Sequence, residues 1–130
     1  GHSKGDAVAW LPKEKILFTG DLCVNWKSGN NAADVDADHR NWVKALETMA
    51  GWGVRTVAVG HGALGDVSTL RGQAAYLADM WKQVSEGKKR GRTAEELARS
   101  IDLTNHQPFG ADVERNAVAV RAMFQKAEAR

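Results

Sequence analysis

The sequence is poor in cysteine and in long apolar runs, and each shortage limits what the chain can be. Its 130 residues include one cysteine, Cys23, so no disulfide can form within the chain. With no disulfide framework to read, cysteine usage indicates neither an oxidising nor a reducing compartment. No apolar stretch approaches the roughly 18 residues that a membrane-spanning helix needs. We therefore expect a soluble protein with no membrane partner, in a compartment that the sequence leaves open.

An excess of charge of one sign is also absent. The chain has 18 lysines and arginines against 16 aspartates and glutamates, for a net charge of +2. Domains that bind nucleic acid usually carry a strongly basic face, which this balance does not favour. The one basic run, Lys88–Arg92, lies between two helical patterns and is interpreted as a solvated turn. We expect no nucleic-acid partner.

What the chain does contain suits a single globular domain. Apolar residues make up 43% and charged residues 26% of the sequence, both ordinary proportions for such a domain. Five tryptophans are many for this length. Because tryptophan buries a large apolar area, either the core is rich in aromatic side chains or some tryptophans face a partner.

The order of apolar patterns predicts an α/β fold with about three strands and about four helices. Ala7–Leu11 and Ile16–Thr19 are predicted to form a hairpin, and the β-branched run Val54–Val59 a third strand. Apolar residues at helical spacing predict one helix before the third strand and three after it. The predicted helix boundaries are Asp36 or Asp38 to Gly51, Asp66 or Ser68 to Gly87, a start at Thr93, and Val113 to about Phe124. Three strands cannot cover four helices well, so we expect the sheet to need further strands from elsewhere.

Three short segments place a metal-ligand side chain beside glycine and next to a predicted strand. They are Gly1-His2-Ser3-Lys4-Gly5-Asp6, Phe18-Thr19-Gly20-Asp21-Leu22 and Val59-Gly60-His61-Gly62. Imidazole nitrogen and carboxylate oxygen are ligands that zinc and similar ions take. Glycine lets the backbone turn sharply, so that a side chain at the end of a strand can point across the rim of the sheet. His2, Asp21 and His61 are therefore candidate metal ligands.

In these motifs and their order, the chain resembles the C-terminal half of the metallo-β-lactamase superfamily of hydrolases. The resemblance implies a single partial domain over residues 1–130, forming half of an αββα sandwich. It implies two Zn²⁺ ions, with His2 on the first, His61 on the second and Asp21 bridging both as the catalytic residue. It also implies that metal-bound hydroxide attacks the carbonyl of a small ester, thioester, lactone or amide.

The departure from the family is the absence of its His-x-His-x-Asp-His motif, which belongs to the N-terminal half. Without that motif each metal keeps one histidine and a shared aspartate, short of the three protein ligands that catalytic zinc usually has. We therefore expect the chain alone to be inactive and to need the N-terminal half as a partner. Whether the chain by itself is an enzyme stays open. The alternative is a non-catalytic half-domain that associates with a second copy through its open sheet edge.

Other polar residues have simpler interpretations. Asp34, Asp36 and Asp38 alternate as at the start of a calcium loop, but the glycine and distant glutamate of such a loop do not follow, so helix capping is favoured. His39 and His106 have polar neighbours and are predicted to lie at the surface or at a helix end.

Two residues after the Asp21 motif remain to be interpreted. No activating base is identifiable near Cys23, so we expect it to be a small buried apolar residue rather than a nucleophile or ligand. Trp26 lies in a predicted loop, Val24–Asp36, that is long for a compact domain. It either lines a substrate pocket or covers the surface of the absent half, and the sequence leaves both possibilities open.

Overall fold

The structure, a computed structural model, describes residues 1–27 and 32–128. Its elements are β1 (Ala9–Leu11), β2 (Ile16–Gly20), α1 (His39–Ala50), β3 (Thr56–Val59), α2 (Val67–Lys89), α3 (Ala94–Ser100) and α4 (Val113–Lys126). The predicted α/β class, the hairpin plus one further strand, and the three helices after the last strand are confirmed within these ranges. Across the same ranges, no helix is long and apolar enough to cross a membrane.

The three strands form one sheet in the order β1-β2-β3. β1 and β2 are antiparallel, as expected for a hairpin, whereas β2 and β3 are parallel. Parallel neighbours end at the same edge of a sheet. The residues that follow β2 and β3 therefore meet at one rim, although about forty positions separate them in the sequence.

The two faces of the sheet differ in exposure. Leu17 of β2 and Val57 of β3 are paired in register and fully buried in the core. The core also takes in buried side chains of all four helices, among them Trp42, Leu46, Leu70, Leu77, Met80, Leu97 and Met123. On the opposite face Phe18 is 47% exposed, and its neighbours in register are Ala9 and Ala58. One sheet face is thus packed and the other is apolar and open.

Helix starts follow local signals in the sequence. The carboxylate of Asp38, rather than that of Asp36, accepts a hydrogen bond from the backbone amide of Asn41 and caps α1. Thr93 and Glu96 form a reciprocal capping box at the start of α3, as their spacing predicts.

The predicted end of α2 at Gly87 is wrong. The helix continues to Lys89, and Gly91, at φ +78°, lies just beyond it. A Cβ at Gly87 would collide with the side chain of Leu97 on α3. Glycine is therefore needed there for close helix packing, and the helix tolerates it. The basic run begins within α2, where Lys88 donates hydrogen bonds to backbone carbonyls at the end of α4.

His39 lies at the first position of α1, which confirms the predicted helix end, but it is buried and not at the surface. Its Nε2 lies 2.6 Å from the carbonyl oxygen of Ala32, and its ring lies 6.1 Å from that of Trp81. Burial lowers the pKa of His39, despite the opposing hydrogen bond to Ala32. The neutral ring avoids the unfavourable placement of a cation at a helix N-terminus.

Helix α4 fastens the segment that joins β2 to α1 at two points. The backbone amide of Asp112, the N-cap of α4, donates to the carbonyl of Lys27 at 3.1 Å. At the other end of the helix, the ammonium of Lys126 donates to the carbonyls of Asp34, Val35 and Ala37. Residues 28–31 of the predicted loop lie outside the described ranges.

Candidate metal site

Asp21 and His61 come together at the rim where β2 and β3 end. The Nε2 atom of His61 lies 3.2 Å from Oδ1 of Asp21. The side chain of His61 is 57% exposed and that of Asp21 is 36% exposed, so the pair faces solvent. The parallel pairing of β2 with β3 produces this proximity, because each residue directly follows, or nearly follows, the end of its strand.

Neighbouring backbone and side-chain atoms lie so close to Gly60 and Gly62, on both sides of His61, that only glycine fits. A Cβ at Gly60 would collide with the carboxylate of Asp21 and with the backbone of Gly20. A Cβ at Gly62 would collide with the carbonyl of Asn25, and φ at Gly62 is +96°, which disfavours other residues. The motif thus fixes His61 against Asp21 through packing as well as through turn geometry.

Two buried side chains hold the turn that follows Asp21. The indole Nε1 of Trp42 donates to the carbonyl of Leu22 at 2.8 Å, and Nε2 of Gln73 donates to the same oxygen at 3.1 Å. Oε1 of Gln73 accepts from the amide of Val24 at 2.9 Å. Gln73 is fully buried, and its role was not predicted from the sequence. Gln73 lies three residues after Leu70 on the apolar stripe of α2, and this position in the sequence could have indicated that it is buried.

His2 is placed near this turn through Trp42. Its ring packs edge-on against Trp42 with 5.5 Å between centroids, and its side chain is 14% exposed. Its Nδ1 lies 4.0 Å from Oδ1 of Asp6. The carbonyl of Gly1 also accepts a hydrogen bond from the backbone amide of Asp38. His2 therefore lies beside the start of α1, and its role as a ligand stays a prediction.

Asp6, the last residue of the run Gly1-His2-Ser3-Lys4-Gly5-Asp6, holds the backbone just after His2. Its carboxylate accepts hydrogen bonds from the backbone and the hydroxyl of Ser3, which closes a turn over residues 3–6, directly after His2. Burial acts to raise the pKa of Asp6, but the hydrogen bonds from Ser3 outweigh it and hold that pKa below its usual value. The Ser-x-x-Asp spacing was the signal that could have revealed this turn.

The donor atoms of Asp21 and His61 fit a zinc ion in type but fall short in number. An imidazole nitrogen and a carboxylate oxygen are ordinary zinc ligands. Across residues 1–27 and 32–128, however, no group of three or more histidine, cysteine, aspartate or glutamate side chains is arranged to hold a metal ion. Since catalytic zinc usually has three protein ligands, the pair fits part of a site and not a whole one.

The remaining titratable candidates are accounted for by other contacts. Cys23 is fully buried, as predicted, and burial raises the pKa of its thiol to about 12. The thiol therefore stays protonated near neutral pH and is a poor nucleophile or ligand. The Nε2 atom of His106 lies 2.8 Å from the carboxylate of Asp79 on α2, and its side chain is 17% exposed. This histidine ties the loop before α4 to α2.

Comparisons with known proteins give partial matches to this chain. No family model matches the chain. A curated relative, the metallo-beta-lactamase type 2 of Bacillus sp. (strain 170), is 32% identical over 72 residues, which is 54% of this chain and 28% of that protein. The chain therefore spans well under half of this relative.

Two solved structures extend the similarity. The crystal structure of VMB-1 is 34% identical, with a TM-score of 0.54 over 60% of this chain and 36% of that one. A metallo-beta-lactamase family protein from Thermus thermophilus is 23% identical, with a TM-score of 0.57 over 95% of this chain and 40% of that one, and at that identity it shows the fold alone. The chain is thus related to the metallo-β-lactamase superfamily over part of that fold.

Proposed function

We propose that the chain is the C-terminal part of a metal-dependent hydrolase in which Asp21 and His61 are metal ligands. The 3.2 Å approach of His61 Nε2 to Asp21 Oδ1, at a solvent-facing rim, is the observation that carries the proposal. The relationship to the metallo-β-lactamase superfamily supports hydrolysis as the kind of reaction. A metal ion at such a site would polarise the substrate carbonyl and lower the pKa of a bound water.

The finer assignment rests on the same residues. We infer two zinc ions in the complete protein. His2 would be a ligand of one and His61 of the other, and Asp21 would be shared, since a carboxylate has an oxygen for each. The substrate is a small molecule with an ester, thioester, lactone or amide carbonyl. In this proposal Asp21 is the catalytic residue as well as a ligand, since it positions the group that attacks the carbonyl.

The rest of the site comes from outside these 130 residues. In this assignment each zinc ion has two ligands, one histidine and the shared Asp21, which is too few for catalytic zinc. The relatives are also more than twice as long as the part that the chain matches. The open sheet face around Phe18 is apolar, and such a face is normally covered by a further layer. We propose that an N-terminal half packs on this face and supplies the remaining ligands.

Zinc content and hydrolysis of the complete protein test the proposal. The variants Asp21→Asn and His61→Ala should lose zinc, measured by mass spectrometry of the metal, and should lose turnover of chromogenic ester, thioester, lactone and amide substrates. His106→Ala is the matched control, because it removes an imidazole that contacts Asp79 instead of the pair. Full zinc content and turnover in both rim variants would refute the assignment.

The open sheet face also favours a second candidate, a non-catalytic half-domain that pairs with its own copy. Sedimentation equilibrium distinguishes the two, since a dimer should have twice the 14.1 kDa mass of the chain and should dissociate when Phe18 is replaced by aspartate. A monomer that unfolds in one cooperative transition would count against both forms of required partner.

A further inference from the structure

Trp26 lies directly beside the Asp21–His61 pair. The centroid of its ring is 5.8 Å from that of His61, at an interplanar angle of 77°. The residue nevertheless remains 45% exposed, although tryptophan normally buries most of its large apolar surface. The exposed part of the ring is therefore an apolar surface next to the two candidate ligands.

The backbone on both sides of Trp26 is held in place. The amide of Asn25 donates to the carbonyl of His61 at 2.9 Å, and its side chain donates to the carbonyl of Ala63 at 3.3 Å. On the other side, the carbonyl of Lys27 accepts from the amide of Asp112 at 3.1 Å. An exposed aromatic residue between two fixed neighbours binds an apolar group with little loss of conformational freedom.

Other exposed aromatic residues have different surroundings. Phe18 belongs to the open face of the sheet, and Trp52 packs against Trp10 of β1 with 6.0 Å between ring centroids. Within the described part of the chain, Trp26 is the exposed large aromatic residue with a ring contact to the candidate ligand pair.

We propose that Trp26 forms one wall of the substrate site and contacts the acyl group of the substrate. The hydrolase then prefers substrates that carry an apolar acyl group, aromatic or several carbons long, next to the carbonyl that is attacked. This assignment of a substrate class rests on the proposed hydrolase function. In this assignment Trp26 is a specificity-determining residue that contacts the substrate. It is not itself a metal ligand.

The expected effect follows from the exposed area. A tryptophan side chain buries up to about 250 Å², so an exposure of 45% leaves roughly 100 Å² free. A substrate that covers about half of this area gains about tenfold in affinity at the usual free energy of apolar burial. A substrate too small to reach the ring gains nothing.

A pair of esters that differ only in their acyl groups tests the assignment in the complete protein. Trp26→Ala should lower kcat/KM for p-nitrophenyl phenylacetate about tenfold, whereas kcat/KM for p-nitrophenyl acetate should change less than about twofold. Trp26→Phe should keep most of the preference, since an aromatic ring remains. Trp52→Ala is the matched control, a tryptophan of similar exposure (41%) that packs on Trp10, and should change neither ester.

Fluorescence gives a readout that does not depend on turnover. Phenylacetate should protect the wild-type protein from quenching by acrylamide more than acetate does, and this difference should disappear in Trp26→Phe. If no ester is hydrolysed, the hydrolase proposal fails, and the fluorescence difference alone decides whether Trp26 binds an apolar acyl group.

Three results would overturn the inference. An equal loss for both esters in Trp26→Ala would mean that the ring does not discriminate acyl groups. A lower melting temperature or dissociation of the protein, with the ratio between the two esters unchanged, would mean that Trp26 packs against another part of the complete protein. The fluorescence experiment must agree, since equal protection by phenylacetate and acetate would also exclude the acyl contact.

Discussion

Replacing Gln73 by leucine removes the side chain that joins α2 to the turn after Asp21. Leucine is similar in size but cannot accept the hydrogen bond from the amide of Val24, which the structure places at 2.9 Å from Oε1 of Gln73. A buried N–H group left without an acceptor costs about 1–3 kcal/mol. The lost bond to the carbonyl of Leu22 costs less, because the indole of Trp42 still donates to that oxygen. We expect the free energy of unfolding to fall by about 2 kcal/mol.

Urea unfolding at neutral pH measures this change, and hydrogen exchange at the Val24 amide locates it. Gln83→Leu is the matched control, since Gln83 lies on the same helix and donates to Asp79 at 3.0 Å, but at a partly exposed position. Water can replace its partner, so we expect a change of less than about 0.5 kcal/mol. In Gln73→Leu the Val24 amide should exchange faster than in the wild type.

If Gln73→Leu and Gln83→Leu had equal free energies of unfolding, the hydrogen bonds of Gln73 would not stabilise this turn. This role of the hydrogen bonds would also be refuted by unchanged exchange at Val24 in a destabilised Gln73→Leu protein. In that case the loss would come from general packing in the core and not from the hydrogen bond that holds the turn.

Three further predictions follow from the same structure. Gly62→Ala should lower the free energy of unfolding by about 1–3 kcal/mol in a thermal melt, because φ is positive and a Cβ meets the carbonyl of Asn25. Cys23, whose pKa burial raises to about 12, should react with a thiol reagent at pH 8 far faster in urea than in the folded state. Burial acts to raise the pKa of Asp79, but the hydrogen bond from His106 lowers it overall. A depressed carboxyl pKa stabilises the fold above the unfolded value of 3.8 and less as pH falls through the folded value. Asp79→Asn should therefore destabilise at pH 7, and the difference should shrink in urea titrations as the pH is lowered below 3.8.

Features with local signals were predictable from the sequence. The capping box of Thr93 and Glu96 needs only residues three apart, and the structure forms it. The meeting of Asp21 and His61 follows from two strand ends and their glycines, once the strands are parallel neighbours. The order of the strands and the parallel pairing of β2 with β3 were not predicted, because spacing along the sequence does not determine them.

Features that depend on tertiary contacts were missed. Gly87 was predicted to end α2 because glycine often ends helices. The sequence near Gly87 does not show that Leu97 of α3 packs against it, which is the reason for glycine there. His39 has acidic neighbours in the sequence, yet it precedes Trp42 by three positions on the buried stripe of α1. For His39, helical periodicity therefore indicated burial correctly, whereas its polar neighbours led to a predicted surface position.

The attachment of α4 to the segment after β2 has a consequence for how related proteins can diverge. Since Lys27 is tied to Asp112 and the carbonyls of Asp34 to Ala37 are tied to Lys126, both ends of the intervening loop are anchored to one rigid element. Doubling the length of such a loop costs only about 0.6 kcal/mol in closure entropy. Related proteins can therefore differ in length between positions 27 and 32 at a small entropic cost, provided that both attachments to α4 and the buried Ala32 remain.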